Sequence, residues 1–141
     1  MELGLQNRVA LVTGGSMGIG KATALALARE GVDVAICARG KELLDSVAAE
    51  IAAETERTVL PIVADMNNEE DAQRFVREAV DHFGRLDILV NCAGSSPGGT
   101  LQSLEEEQWM ESLNLKFMGY VRTTKPAVGH MKERGWGRVI N

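Results

Sequence analysis

The sequence predicts an α/β fold, a parallel sheet wound with helices on both faces. Three observations predict it. Five short apolar runs alternate with segments of helical period. The runs are too continuous in Val, Ile, Leu and Ala for strands with one wet face, which marks a sheet covered on both sides. The string TGGSMGIG stands directly between the first run and the first helical segment, where such a sheet brings bare backbone against a ligand.

Each element has its own signal. Val9-Ala10-Leu11-Val12 is the first strand. Residues 18–30 carry Ile19, Ala22, Leu25, Ala26 and Ala28 at helical spacing, and Gly31 takes the left-handed stop position. VDVAICA is the second strand. Leu43, Leu44, Val47, Ala48 and Ile51 form the apolar stripe of the second helix. TVLPIVAD is the third strand, and Pro61 assigns it to a sheet edge because proline cannot donate to a ladder. Asn68 caps a helix whose buried face is Ala72, Phe75, Val76, Ala79, Val80 and Phe83, ended by Gly84. LDILVNCAG is the fourth strand. Ser103-x-x-Glu106 has the form of a capping box, opening a long helix through Trp109, Leu113, Phe117 and Val121 that continues past Pro126. A fifth, buried strand begins at Arg138. Right-handed crossovers turn this series into a doubly wound, Rossmann-type sheet of order 3-2-1-4-5, with the Pro61 strand at one edge and the fifth strand at the other.

The 141 residues are expected to form a single domain, 1–141. A content of 45% hydrophobic and 25% charged residues is that of a globular protein. The net charge of −5, without a basic patch, argues against nucleic acid as a partner. No apolar run approaches the ~20 residues that span a bilayer, so no membrane partner is expected. MELGLQNR has neither a basic nor an apolar leader region, so the expected location is cytoplasmic. Cys37 and Cys92 lie in apolar runs and are expected to be buried free thiols. No metal-ligand spacing is present, and His82 and His130 are expected at the surface.

The glycine loop points to a phosphate-bearing ligand. Glycines admit a tight turn and close backbone approach, and the helix that follows offers free N–H groups and a positive dipole end. Two rivals use the same physics. Gly15-x-x-x-x-Gly20-Lys21 nearly matches a P-loop, with Asp65 as its magnesium aspartate, but the hydroxyl required after the lysine is replaced by Ala22. A methyltransferase would want an acid at the end of strand 2, where this chain has Ala38-Arg39-Gly40. The same absence argues against NAD, whose ribose 2′-hydroxyl takes an Asp or Glu there. Arg39 would instead attract a 2′-phosphate, which favours NADP, with NAD as the alternative.

These residues resemble those of the short-chain dehydrogenase/reductase family. TGGSMGIG is similar to its TGxxxGxG loop, and Asn91-Cys92-Ala93-Gly94 to its NNAG motif with Cys92 in place of the second Asn. The nearest subgroup resembles reductases of 3-oxoacyl thioesters or small ketones. The resemblance implies a dinucleotide held by Gly14, Ser16, Met17, Gly18, Ile19 and Gly20 of the loop. It implies further contacts from Ala38 and Arg39 after strand 2, Asp65 and Met66 after strand 3, and Asn91, Ala93 and Gly94 after strand 4. In the family the aspartate matched by Asp65 bonds the adenine amino group, and the helix asparagine matched by Asn114 binds a water in a proton relay. Asn114 is therefore the candidate catalytic residue.

The family's serine, and its tyrosine and lysine four residues apart, act on a small-molecule ketone or secondary alcohol and would lie beyond Asn141. Tyr120 has Lys125 five residues on, so its spacing fails, and Tyr120 is read as a packing residue. The resemblance thus implies an NADP-dependent oxidoreductase, truncated after strand 5 and inactive as this chain alone. The alternative is a non-catalytic nucleotide-binding or self-associating module. In the family the long helix belongs to a subunit interface, so a homo-oligomer is expected.

Overall fold

The computed structural model describes residues 3–141. Its strands are β1 (Val9–Thr13), β2 (Asp33–Ala38), β3 (Val59–Val63), β4 (Ile88–Asn91) and β5 (Arg138–Ile140). All pair in parallel, in the order β3-β2-β1-β4-β5. The helices are α1 (Gly18–Arg29), α2 (Lys41–Thr55), α3 (Glu69–Phe83), α4 (Glu106–Leu113) and α5 (Gly119–Arg134), with a π turn, Asn114–Met118, joining α4 to α5.

The continuous apolar runs are explained by two cores. Successive strand residues face opposite sides of a sheet. Val9, Leu11, Ala35, Cys37 and Leu89 join Phe75, Val76, Ala79 and Ala127, beneath α3 and α5. Ala10, Val12, Val34, Ile36, Ile88 and Val90 join Ala24, Ala28, Leu44 and Ile51, beneath α1 and α2. Both faces are covered, so the central strands β1 and β4 are apolar up to their last residues, the buried polar Thr13 and Asn91. Burial of Cys37 pushes its thiol up to about 12, so it stays protonated.

Several local signals hold. Pro61 lies on the edge strand β3. Asn68 Oδ1 accepts from the Asp71 N–H at 3.0 Å, and Gly84 ends α3 at φ 72°. Others do not. The capping box at Ser103 is absent. Ser103 Oγ instead accepts the Thr100 N–H at 2.8 Å, so the hydroxyl is spent one turn early. α4 starts after Glu105, whose N–H donates to Gln108 Oε1 at 3.0 Å. β5 is not buried: Ile140 is 50% exposed, because among the described residues the strand has a neighbour on one side only. Leu43 leaves the buried stripe of α2, and the apolar stripe Trp109, Leu113, Phe117 and Val121 is exposed along one side of the long helix.

The amino ends of the strands are locked together by one buried carboxylate. Asp87, 1% exposed, receives the Val9 N–H at 2.9 Å, Arg8 at 3.2 Å and both arms of Arg85 at 2.7 Å. Arg8 and Arg138 stack on Trp136, 4.0 and 4.8 Å from its ring centroid. This lock lies at the opposite end of the sheet from the glycine loop, so it fixes the strands without entering the site.

Gly129 sits in the interior of α5, exposed, and a Cβ there would meet nothing within 4 Å. Gly129→Ala is therefore expected to raise stability by about 0.5–1 kcal/mol through lower unfolded-state entropy, measured by urea unfolding.

Candidate functional site

The loops that leave the carboxyl ends of β1, β2, β3 and β4 converge on a cleft of about 480 Å³. It is lined by Gly14, Ser16, Met17, Gly18, Ile19 and Gly20 after β1, Cys37 to Gly40 at the end of β2 and just past it, Ala64 to Asn67 after β3, and Cys92 to Ser95 after β4. Leu43 from α2 and Leu115 from the π turn add apolar walls. The exposure of Leu43 thus places it on the cleft.

The glycines divide their work. Gly14 has φ +68°, and a Cβ there would come 2.9 Å from Ala93 Cα, so the loop rests directly on the exit of β4. At Gly20 a Cβ would stand 2.1 Å from the Gly14 carbonyl oxygen, so the start of α1 packs on the loop backbone. Gly18 has φ +55° and open space where a side chain would go. Thr13 Oγ1 ties the two walls by accepting the N–H groups of Cys92 and Ala93, both at 3.0 Å.

This geometry suits an anion. α1 begins after Met17, which offers no side-chain cap. Its first N–H groups lack intrahelical partners by helix geometry and stand at the positive end of the dipole. Met17 and Ile19 are 64% and 78% exposed, so neither plugs that corner. The lysine that a P-loop would aim at phosphate is turned away: Lys21 Nζ pairs with Glu50 of α2 at 2.8 Å.

Two charged side chains line the cleft, Arg39 and Asp65. Arg39 is exposed and pairs with no carboxylate among the described residues. Asp65 Oδ1 accepts the Asn67 N–H at 2.9 Å and Asn67 Nδ2 at 3.1 Å. Its loop is anchored by Asp71, which accepts the Asp65 N–H at 2.9 Å. That bond, followed by the bond from Arg74, holds the Asp71 carboxyl below the usual range.

Two of the expected site residues lie outside this lining. Asn91 is 2% exposed, and its side chain fastens β4 to α5 and to the end of β5. It accepts Thr123 Oγ1 at 2.7 Å and donates to Thr124 Oγ1 at 3.2 Å and Asn141 Oδ1 at 2.8 Å. Asn114 opens the π turn, and its side chain bonds Arg122 and Asn67. The lysine stem of Lys116, one residue past Leu115, lies across Gly94 with Cε 3.2 Å from where a Cβ would stand.

Cys92 is half-buried, packed against the core beneath α1 and α2 while also lining the cleft, and burial pushes its thiol up. Tyr120 is raised too, by burial and then by Cys92. Thr13, Leu43, Asn67 and Leu115 were missed in the sequence. Thr13 carries a signal, as a polar residue closing an apolar strand; the other three carry none of their own.

Among the described residues no group of three or more His, Cys, Asp or Glu could hold a metal, and no helix is long and apolar enough to cross a membrane.

Residues 8–141 match the family model described as short chain dehydrogenase. The chain is 40% identical over 139 residues to the (2S)-[(R)-hydroxy(phenyl)methyl]succinyl-CoA dehydrogenase subunit BbsD of Thauera aromatica, covering 99% of this chain and 56% of the relative. It is 34% identical over 137 residues to the 3-oxoacyl-[acyl-carrier-protein] reductase FabG of Thermotoga maritima, covering 97% of this chain and 55% of that protein. The chain thus spans little more than half the length of these curated relatives. Among solved structures, L-sorbose reductase from Gluconobacter frateurii, complexed with NADPH and L-sorbose, superposes with a TM-score of 0.93 at 32% identity. That match covers 99% of this chain and 53% of the reductase. With the sheet order, the glycine loop and a model match from residue 8 to residue 141 in agreement, the chain belongs to the short-chain dehydrogenase family.

Proposed function

We propose that this chain is the cofactor-holding portion of an NADP(H)-dependent oxidoreductase acting on a small-molecule ketone or secondary alcohol, with NAD as the alternative cofactor. The observation that carries the reading is the uncapped start of α1, facing an open cleft that is also lined by Arg39, which pairs with no carboxylate among the described residues. When bound, the cofactor supplies the hydride donor or acceptor.

The chain's own residues bind and orient. The N–H groups of Gly18, Ile19 and Gly20 hold the diphosphate, with Ser16 and Met17 shaping the turn. Arg39, beside Ala38, takes the 2′-phosphate, to which a guanidinium can donate twice. Asp65 accepts the adenine amino group through the oxygen that Asn67 leaves open, and Met66 backs it. Ala93 and Gly94 bring bare backbone to the nicotinamide ribose, while Asn91 supports that wall from within the sheet. Relatives and solved neighbours described as reductases, and complexes described with NADPH and 5-hydroxy-NADP, support this reading.

Arg39→Ala is expected to weaken NADPH binding by roughly tenfold and leave NADH unchanged. Calorimetric titration of the chain with both cofactors checks this, and equal loss for both would reject the phosphate role. The chain alone is expected to show no turnover of a panel of ketones with NADPH, and a rate above the buffer blank would overturn that part.

The exposed stripe Trp109, Leu113, Phe117 and Val121 supports a second element of the proposal, a homo-oligomer formed through α4 and α5. Size-exclusion chromatography is expected to give at least a dimer. A clean monomer would remove this element and leave the cofactor reading intact.

A further inference from the structure

Four side chains at and beside the cleft form a polar chain whose order has a direction. Arg122 of α5 reaches back to the π turn, where Nη2 donates to Asn114 Oδ1 at 2.8 Å. Its Nη1 donates to the carbonyl oxygens of Asn114 at 3.3 Å and Met66 at 3.2 Å. Asn114 Nδ2 donates to Asn67 Oδ1 at 3.0 Å, and Asn67 Nδ2 donates to Asp65 Oδ1 at 3.1 Å. Arg can only donate and a carboxylate can only accept, so the orientation of both amides follows from the two ends. Every donor points from the guanidinium towards the carboxylate. Each bond polarises the next, which stiffens the chain beyond what its single bonds would give.

The consequence falls on Asp65. Its Oδ1 already receives two donors from Asn67, which leaves Oδ2 as the free acceptor at the cleft. The chain fixes which oxygen that is. It also joins two cleft walls, the π turn carrying Leu115 and the loop carrying Asp65 to Asn67. Gly119, packed 3.3 Å from the Met66 carbonyl oxygen where a Cβ would stand, allows the two to meet.

We infer that Arg122 and Asn114 are positioning residues for base recognition: the relay through Asn67 holds Asp65 so that the cleft selects a 6-aminopurine over a 6-oxopurine. This deepens the cofactor reading above and rests on it. A 6-oxo group presents an acceptor where the amino group would donate, and it meets a carboxylate oxygen that cannot turn away.

The test compares NADPH with its hypoxanthine analogue by fluorescence titration of the chain. The parent chain is expected to prefer NADPH by roughly tenfold, the size of one hydrogen bond to a charged acceptor. Arg122→Ala removes the head of the relay. Asn114→Asp keeps an acceptor for Arg122, and so keeps the fold, but loses the donor to Asn67. Both variants are expected to bring the preference down by at least about threefold, towards parity. Melting of Asn114→Asp is expected to stay close to the parent. Equal weakening of both nucleotides by Asn114→Asp, or no change, overturns the relay and reduces these residues to support. A parent chain that binds both nucleotides equally overturns the relay alone. A parent chain that binds neither overturns the cofactor reading, and the relay falls with it.

Discussion

Gly20→Ala is expected to abolish useful nucleotide binding, lowering affinity for NADPH by roughly 100-fold. The added methyl would stand 2.1 Å from the Gly14 carbonyl oxygen and 2.7 Å from its carbon, where real Cβ contacts stop near 3.0 Å. Both atoms are backbone, so no side chain can swing aside. The start of α1 must therefore part from the loop by close to an ångström, and the N–H groups that face the cleft move with it. Overpacking of this kind costs about 1–3 kcal/mol of stability as well. Titration calorimetry and urea unfolding read the two losses separately. Affinity kept within threefold of the parent, a criterion of roughly 0.7 kcal/mol, would show that the helix start does not hold the ligand.

The second large effect is at the other end of the sheet. Asp87→Ala is expected to lower stability by about 3 kcal/mol, because removing one partner of a buried ion pair leaves the others uncompensated. The Val9 N–H loses its acceptor, and Arg8 and Arg85 are left facing each other. Burial by itself pushes the Asp87 carboxyl up. The bonds from Arg85, Val9 and Arg8 outweigh it, and the net direction is down. A depressed carboxyl stabilises the fold above its unfolded value near ~3.9 and loses that contribution as pH falls through the folded value. The parent chain should thus lose stability below about pH 4, and Asp87→Ala should flatten that part of the profile. Melting temperatures between neutral and acidic pH check the sign; parallel profiles would show that the carboxylate is not the acid-sensitive lock.

The limits of the sequence are visible in particular residues. Asn68 and Gly84 were legible because a cap is a local bond over a few positions. Ser103 was misread because its hydroxyl has a competing local partner in Thr100 that the motif does not register. Leu43 fits the apolar stripe of α2 by spacing, yet it faces the cleft, since the stripe does not record where the sheet ends. Asn114 was legible through the family resemblance, but its partners Asn67 and Arg122 stand 47 and 8 positions away in the chain.

The sequence by itself determined the doubly wound order, the glycine loop between β1 and α1, the edge position of Pro61 and the family. Each rests on periodicity, turn chemistry or a short motif, and those signals live within a few residues of one another. Only the tertiary structure decided that Asn91 braces the sheet, that Lys21 turns to Glu50 and that Asp87 gathers Arg8, Arg85 and Val9. The same holds for the path from Arg122 through Asn114 and Asn67 to Asp65. These are directional bonds between segments brought together by packing, and a polar side chain's partner is set by where the backbone carries it, not by its neighbours along the chain.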